Sequence, residues 1–170
     1  MKLLFDCDGT LIDSMGVWME SMHEMIRQSA YTKNNIAEEE LQAIDNLSYD
    51  ESASYIWGTL VKVMSEEEIT AHFDRLLEEG YKKTIPAKDG AIEIIKNLHK
   101  EGFEMAVATS NSYYLVEMVL KRLGIFDCFK DFFTPDRTGY KKNQVEFWEK
   151  ASQQLDSTPE NLILFDDALY

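Results

Sequence analysis

The chain has 170 residues, 45% of them apolar and 12% aromatic, which suits a globular core with a modest insertion and excludes a disordered polymer. No apolar run approaches the width of a bilayer, so no membrane partner is expected. Acidic residues outnumber basic ones, 31 to 17, for a net charge of −14, which argues against nucleic acid; an anionic substrate would need a locally positive site made by a metal ion or a placed lysine.

Lys2 to Asp6 reads as a short buried strand. Ser14 to Ser29 has helical spacing, with Val17, Met22, Met25 and Ile26 apolar among polar neighbours. Further helical pieces run near Ala37 to Ile44 and after Asp50. Another starts at Ser65, where Ser65-Glu66-Glu67-Glu68 makes a capping box. Only helices are expected from Ser14 to Thr84. After Pro86 the texture changes. Asp89 to Lys100 is an amphipathic helix closed near Gly102, and Met105 to Thr109 is a strand. Tyr113 to Leu123 is a helix closed near Gly124, and Asp131 to Thr134 is a short strand. Gln144 to Leu155 is a helix, and Leu162-Ile163-Leu164-Phe165 is a strand, apolar at every position as befits one covered on both faces. Strands alternating with helices predict an α/β fold, a doubly wound parallel (Rossmann-like) sheet. The early helical stretch is then an inserted α-helical cap domain. The expected division is a core of residues 1–13 and 86–170 and a cap of residues 14–85.

Ligands of such sheets bind at the carboxyl ends of the strands. Those ends carry Asp6 and Asp8, then Thr109 and Ser110, then Asp166 and Asp167, with Lys141 in the loop after the third strand. Asp6 and Asp8 are two residues apart, so both can face one site. Their repulsion is relieved by a hard cation such as Mg²⁺, which takes a few carboxylates together with water and phosphate. Gly9 lets the backbone approach a ligand, and its N–H can hold an anionic oxygen. One carboxylate could attack phosphorus while the other moves the proton. Each piece alone has a plainer meaning: Asp-x-Asp-Gly is a common turn, Thr109-Ser110-Asn111 a helix cap, Lys141-Lys142 a solvated pair and Asp166-Asp167 a cap at a helix's positive end. Their conjunction at strand ends points to catalysis.

Other chemistries fall on spacing. Cys7 and Cys128 lack the arginine six residues on that a cysteine phosphatase needs; Asp13 and Thr134 stand there. His23-Glu24 lacks the second histidine of a zinc protease, with Arg27 in its place. Cys7 is expected to pack as a small apolar group, and Phe126 to Phe133 to be core. Two cysteines make no disulfide framework and Met1 to Asp6 meets acid too soon for a signal peptide, so a cytoplasmic location is expected.

"FDCDGTL", "VATSN", a downstream lysine and "LFDDA", in that order, resemble the haloacid dehalogenase-like superfamily. The branch that it resembles is that of the helical-cap phosphatases, with phosphoglycolate phosphatase and β-phosphoglucomutase. The resemblance covers essentially the whole chain and implies a Mg²⁺-dependent phosphatase acting on a small-molecule phosphate ester; the chain is expected as monomer or dimer. It implies Asp6 as a nucleophile that forms an aspartyl-phosphate, and Asp8 as the group that protonates the leaving group and then activates water. Thr109 would bind the phosphoryl, helped by the N–H groups of Ser110 and Asn111. Lys141 would neutralise phosphate and nucleophile. Asp167, supported by Asp166, would complete the Mg²⁺ site with Asp6 and the Asp8 carbonyl.

Asp8 speaks for phosphate chemistry, since dehalogenases of this family lack the second aspartate. Trp18 stands where the mutase branch carries a cap histidine, which favours hydrolysis over the alternative of a sugar-phosphate mutase. A further alternative is a catalytically weak phosphate- or Mg²⁺-binding module. The residue after the motif lysine is usually proline and here is Lys142. Lys141 is the expected site lysine, because Phe147 then falls where relatives have an aromatic. Specificity would lie among cap residues such as Met15, Trp18 and Met19, which could equally be cap core. Relatives continue past the fourth motif with a helix and a strand, so a C-terminally truncated core is also expected, with an open sheet edge at the last strand and a loosely supported metal site, or else a second chain that covers the edge by dimerising.

Overall fold

The structure, a computed structural model, describes residues 1–28, 58 and 65–168. Among the described residues, four strands form one parallel sheet: β1 (Lys2–Phe5), β2 (Met105–Ala108), β3 (Asp131–Phe133) and β4 (Leu162–Phe165), in the spatial order β3-β2-β1-β4. The described helices include α1 (Met15–Gln28), α2 (Glu66–Glu79), α3 (Ala91–Lys100), α4 (Tyr113–Arg122), the short α5 (Pro135–Thr138) and α6 (Val145–Gln154). A π-helical turn, Gly80–Thr84, continues α2. The helices expected near Ala37 to Ile44 and after Asp50 lie outside the described residues. The chain winds from β1 through β2 to β3 and then returns to place β4 on the other side of β1. That reversal is the switch point of a doubly wound sheet.

The register sets Leu4 beside Ala106 and Leu164, and Phe5 beside Val107 and Phe165. Alternation along the strands then sends Leu4, Ala106, Ala108 and Phe133 to one face, where they pack on Phe147 and Ala151 of α6 and on Leu155. The other face carries Phe5 and Phe132, both edge-on to Phe129 at 6.1 Å, and Phe132 also stacks on Phe126. The aromatic stretch before and within β3 is therefore core. β4 reads as a strand fit to be covered on both faces, but Ile163, Leu164 and Phe165 are 37–43% exposed, in keeping with the expected open edge. It is an edge strand, pairing among the described residues with β1 alone.

The chain divides into two compact units, Met1–Ser14 with Tyr81–Tyr170, and Met15–Gly80. The first holds the sheet with α3 to α6. It also claims residues 81–85, which the sequence reading gave to the cap. Tyr81 and Ile85 are fully buried there, and the Arg122 guanidinium of α4 donates to the carbonyls of both. The second unit contains α1 and α2. Trp18 of α1 meets Phe73 of α2 at 5.3 Å between ring centroids. The Ser65 capping box starts α2: the Ser65 N–H donates to Glu68 Oε2 at 2.9 Å, and the Glu68 N–H donates to Ser65 Oγ at 3.2 Å. No described helix is long and apolar enough to cross a membrane.

Candidate active site

β1 and β4 run side by side and end together, and the Asp6 N–H donates to the Phe165 carbonyl at 2.9 Å. That pairing sets Asp6, just past β1, beside Asp166 and Asp167, just past β4. Asp6, Asp166 and Asp167 each offer a carboxylate oxygen within 4.8 Å of the others. The set is all hard oxygen, which suits Mg²⁺. The Asp8 carboxylate stands outside this group.

The lysine in the site is Lys142. Its ammonium is buried and donates to Asp6 Oδ1 and to Asp166 Oδ2, each at 2.6 Å. Lys141, the residue expected from sequence, is exposed, and its backbone N–H donates to Gln144 Oε1 at 2.6 Å. The aromatic spacing could not decide between them. Phe147 lies six residues after Lys141, but Trp148 lies six after Lys142. The decision belongs to the loop. α5 stops at Gly139, whose φ of +81° suits glycine, and the turn that follows brings Lys142 inward.

Burial pushes the Asp6 carboxyl up to about 6, against the pull of Lys142 and with help from Asp166 and Asp8. Burial also works against the Lys142 charge, but Asp6 and Asp166 outweigh it and hold the ammonium above its ordinary value. A divalent cation beside Asp6 would favour its ionised form.

Gly9 has φ +84°, and the Asp167 carboxylate lies over it: a Cβ there would come within 2.2 Å of Asp167 Oδ2. Glycine at this position is what lets the two loops close together. Its N–H is not turned to an anion, as expected from sequence, but donates to the Ile12 carbonyl at 2.9 Å. Thr10 Oγ1 donates to Asp167 Oδ1 at 3.1 Å, a support that the sequence reading did not foresee.

Thr109, just past β2, is buried, and its N–H donates to the Phe133 carbonyl at 3.0 Å. Its Oγ1 accepts the Asn111 N–H at 3.2 Å, so that N–H turns back on the loop and not to a phosphoryl group. The Thr109 hydroxyl keeps its proton to donate. Ser110 is exposed. The Asn111 side chain donates from Nδ2 to Asp8 Oδ2 at 2.9 Å. Asp8 Oδ1 accepts from Ser14 Oγ at 2.6 Å and from the Tyr81 hydroxyl. Ser14 and Tyr81 carry no sequence signal for this: they lie far from the motifs or look like ordinary helix residues. Cys7 is wholly buried, and burial pushes its thiol well up, which suits packing and not nucleophilic attack.

A family model for the haloacid dehalogenase-like hydrolases matches residues 3–170. The chain belongs to the haloacid dehalogenase-like hydrolase family. It is 25% identical over 165 residues to the pyrophosphatase PpaX of Bacillus thuringiensis, an alignment spanning 97% of this chain and 73% of PpaX. Among solved structures it is similar to YfnB of Bacillus subtilis, assigned to the HAD hydrolases and bound to magnesium. There the TM-score is 0.69 at 22% identity, covering 99% of this chain and 78% of YfnB. It is also similar to a protein of Haemophilus somnus that its sequence marks as a phosphoglycolate phosphatase, with TM-score 0.72, 17% identity and coverage of 96% and 75%. Such identities show the shared fold.

Proposed function

We propose that this member of the family is a Mg²⁺-dependent phosphatase that hydrolyses a small phosphorylated metabolite through an aspartyl-phosphate on Asp6. The observation that carries the reading is the meeting of Asp6, Asp166, Asp167 and buried Lys142 at the switch point of the sheet. The family membership and the names of PpaX and the phosphoglycolate phosphatase support it.

Lys142 holds Asp6 Oδ1 and adds positive charge where a phosphoryl group must sit in a strongly acidic protein. The Thr109 hydroxyl, and the backbone at Ser110, steady the phosphoryl oxygens. A carboxylate oxygen of Asp6 attacks phosphorus and the bond to the leaving oxygen breaks. Asp8 gives that oxygen a proton. Asp8 then takes a proton from water, whose oxygen attacks the aspartyl-phosphate, releasing phosphate and restoring Asp6. Asp6, Asp166 and Asp167, with the Asp8 carbonyl, would hold Mg²⁺, which when bound supplies charge neutralisation at the phosphoryl group. The unit Met15–Gly80 is read as the cap, with Met15 and Met19 as candidates for specificity. Trp18, where a mutase would need histidine, packs on Phe73, which favours hydrolysis.

The test is a panel of phosphate monoesters and inorganic pyrophosphate, with Mg²⁺ and with chelator. The wild type should turn over a monoester and lose activity on chelation, and Asp6→Asn should abolish turnover and phosphoenzyme labelling. A labelled phosphoenzyme that survives Asp6→Asn moves the nucleophile elsewhere. Turnover of pyrophosphate alone replaces the monoester reading with the one PpaX's name carries.

A further inference from the structure

Asp8 is held from three sides, and two of the holders are bonded to each other. The Tyr81 hydroxyl donates to Asp8 Oδ1, and Asn111 Nδ2 donates both to Asp8 Oδ2 at 2.9 Å and to the Tyr81 hydroxyl oxygen at 2.7 Å. Tyr81, Asn111 and the carboxyl thus close a ring of hydrogen bonds. Tyr81 is fully buried and Asn111 is 9% exposed, so these bonds form where water competes poorly. Tyr81 lies in the π-helical turn Gly80–Thr84, and Arg122 donates to its carbonyl at 3.0 Å, which fixes the backbone that aims the phenol. π-Helical turns recur at functional sites because the extra residue per turn redirects a side chain. The Tyr81 hydroxyl joins Asp8 to Asn111, and a phenylalanine there would keep the ring and lose both bonds.

We propose that Tyr81 is a positioning residue that, with the Asn111 side-chain amide, aims the Asp8 carboxyl at the leaving-group oxygen. This rests on the reading of Asp8 as the proton donor. A phenol can give or take a hydrogen bond, so it can stay in contact with a group that holds a proton in one step and lacks it in the next. Freed of the ring, the Asp8 carboxyl rotates about its side-chain torsions and spends less of its time in line with the ester oxygen. The cost falls where the leaving group needs the proton. An alkoxide needs it, and p-nitrophenolate does not.

The experiment compares kcat/KM for the best-used alkyl phosphate of the panel and for p-nitrophenyl phosphate, in wild type, Tyr81→Phe, Asn111→Ala and Asp8→Asn, with melting curves for each. Tyr81→Phe should lose roughly tenfold on the alkyl ester and under about twofold on the activated one, a fraction of the selective loss in Asp8→Asn. Asn111→Ala keeps the backbone N–H and should show the same selectivity, and it carries the test if Tyr81→Phe does not fold. Equal losses on both esters in Tyr81→Phe and Asn111→Ala, with a selective loss in Asp8→Asn, overturn the positioning role and leave the acid in place. Equal losses in Asp8→Asn overturn the acid, and the positioning role with it.

Discussion

A single residue's shift along the loop after β3 decides which ammonium enters the site. Lys142 is buried between Asp6 and Asp166, whereas Lys141 is exposed. On the proposed function, Lys142→Ala should lower kcat by about a hundredfold or more, since it removes the positive charge placed beside Asp6. It should also destabilise the fold by about 3–5 kcal/mol, because two carboxylates lose their counter-charge in a buried place. Lys141→Ala should change activity less than about twofold. Steady-state kinetics and urea unfolding check both, and the reverse ranking would exchange the two residues. Thr10 supports Asp167 from outside the acid cluster. Thr10→Val keeps the shape and loses that hydrogen bond, so the Mg²⁺ concentration for half-maximal activity should rise roughly tenfold. An unchanged Mg²⁺ dependence separates Asp167 from the metal.

The elements meet at the opposite end of the sheet through Glu104, which accepts from Lys2 of β1 at 2.7 Å and from Lys130, just before β3, at 2.9 Å. Its hydrogen bonds to Lys2 and Lys130 hold the carboxyl down at about 2, from an ordinary 4.5. A carboxyl with a lowered value in the folded state stabilises that state above its unfolded value and loses the effect as pH falls through the folded one. Glu104→Gln should therefore be less stable than wild type near neutrality, with the gap closing between pH 4.5 and about 2. The group is exposed, so the gap is small. Urea midpoints across that range test it, and a gap independent of pH assigns the effect to shape and not to charge. The capping box of α2 was legible from Ser65 and Glu68 alone, because its chemistry lies within four consecutive residues.

At the scale of the whole sheet, the acid cluster sits at the reversal of strand order, and among the described residues β4 is an apolar edge. Exposed Ile163, Leu164 and Phe165, on a strand that pairs among the described residues with β1 alone, invite strand-to-strand association. Ile163→Lys should reduce concentration-dependent association, seen by light scattering, without loss of circular dichroism. Association that is unaffected places the sticky surface elsewhere. Mg²⁺ should raise the melting temperature of the wild type, as any ligand of the folded state does, and not that of a variant with both Asp6→Asn and Asp167→Asn. A similar rise in both would assign the effect to the general acidity of the chain.

The alternation of strands and helices, the capping box, and the acids that follow β1 and β4 were determined by the sequence itself, because each is written in neighbouring residues: periodicity, caps and runs of apolar side chains. The tertiary structure decided what depends on the path of the chain. Lys142 meets Asp6 across 136 residues, and Tyr81 reaches Asp8 across 73. One residue of slip in a loop exchanges an inward side chain for an outward one, and local patterns do not resolve so small a shift. The same reason governs Gly9 and Asn111, whose N–H groups looked available in the sequence and are turned to Ile12 and Thr109 by the folding of their own loops.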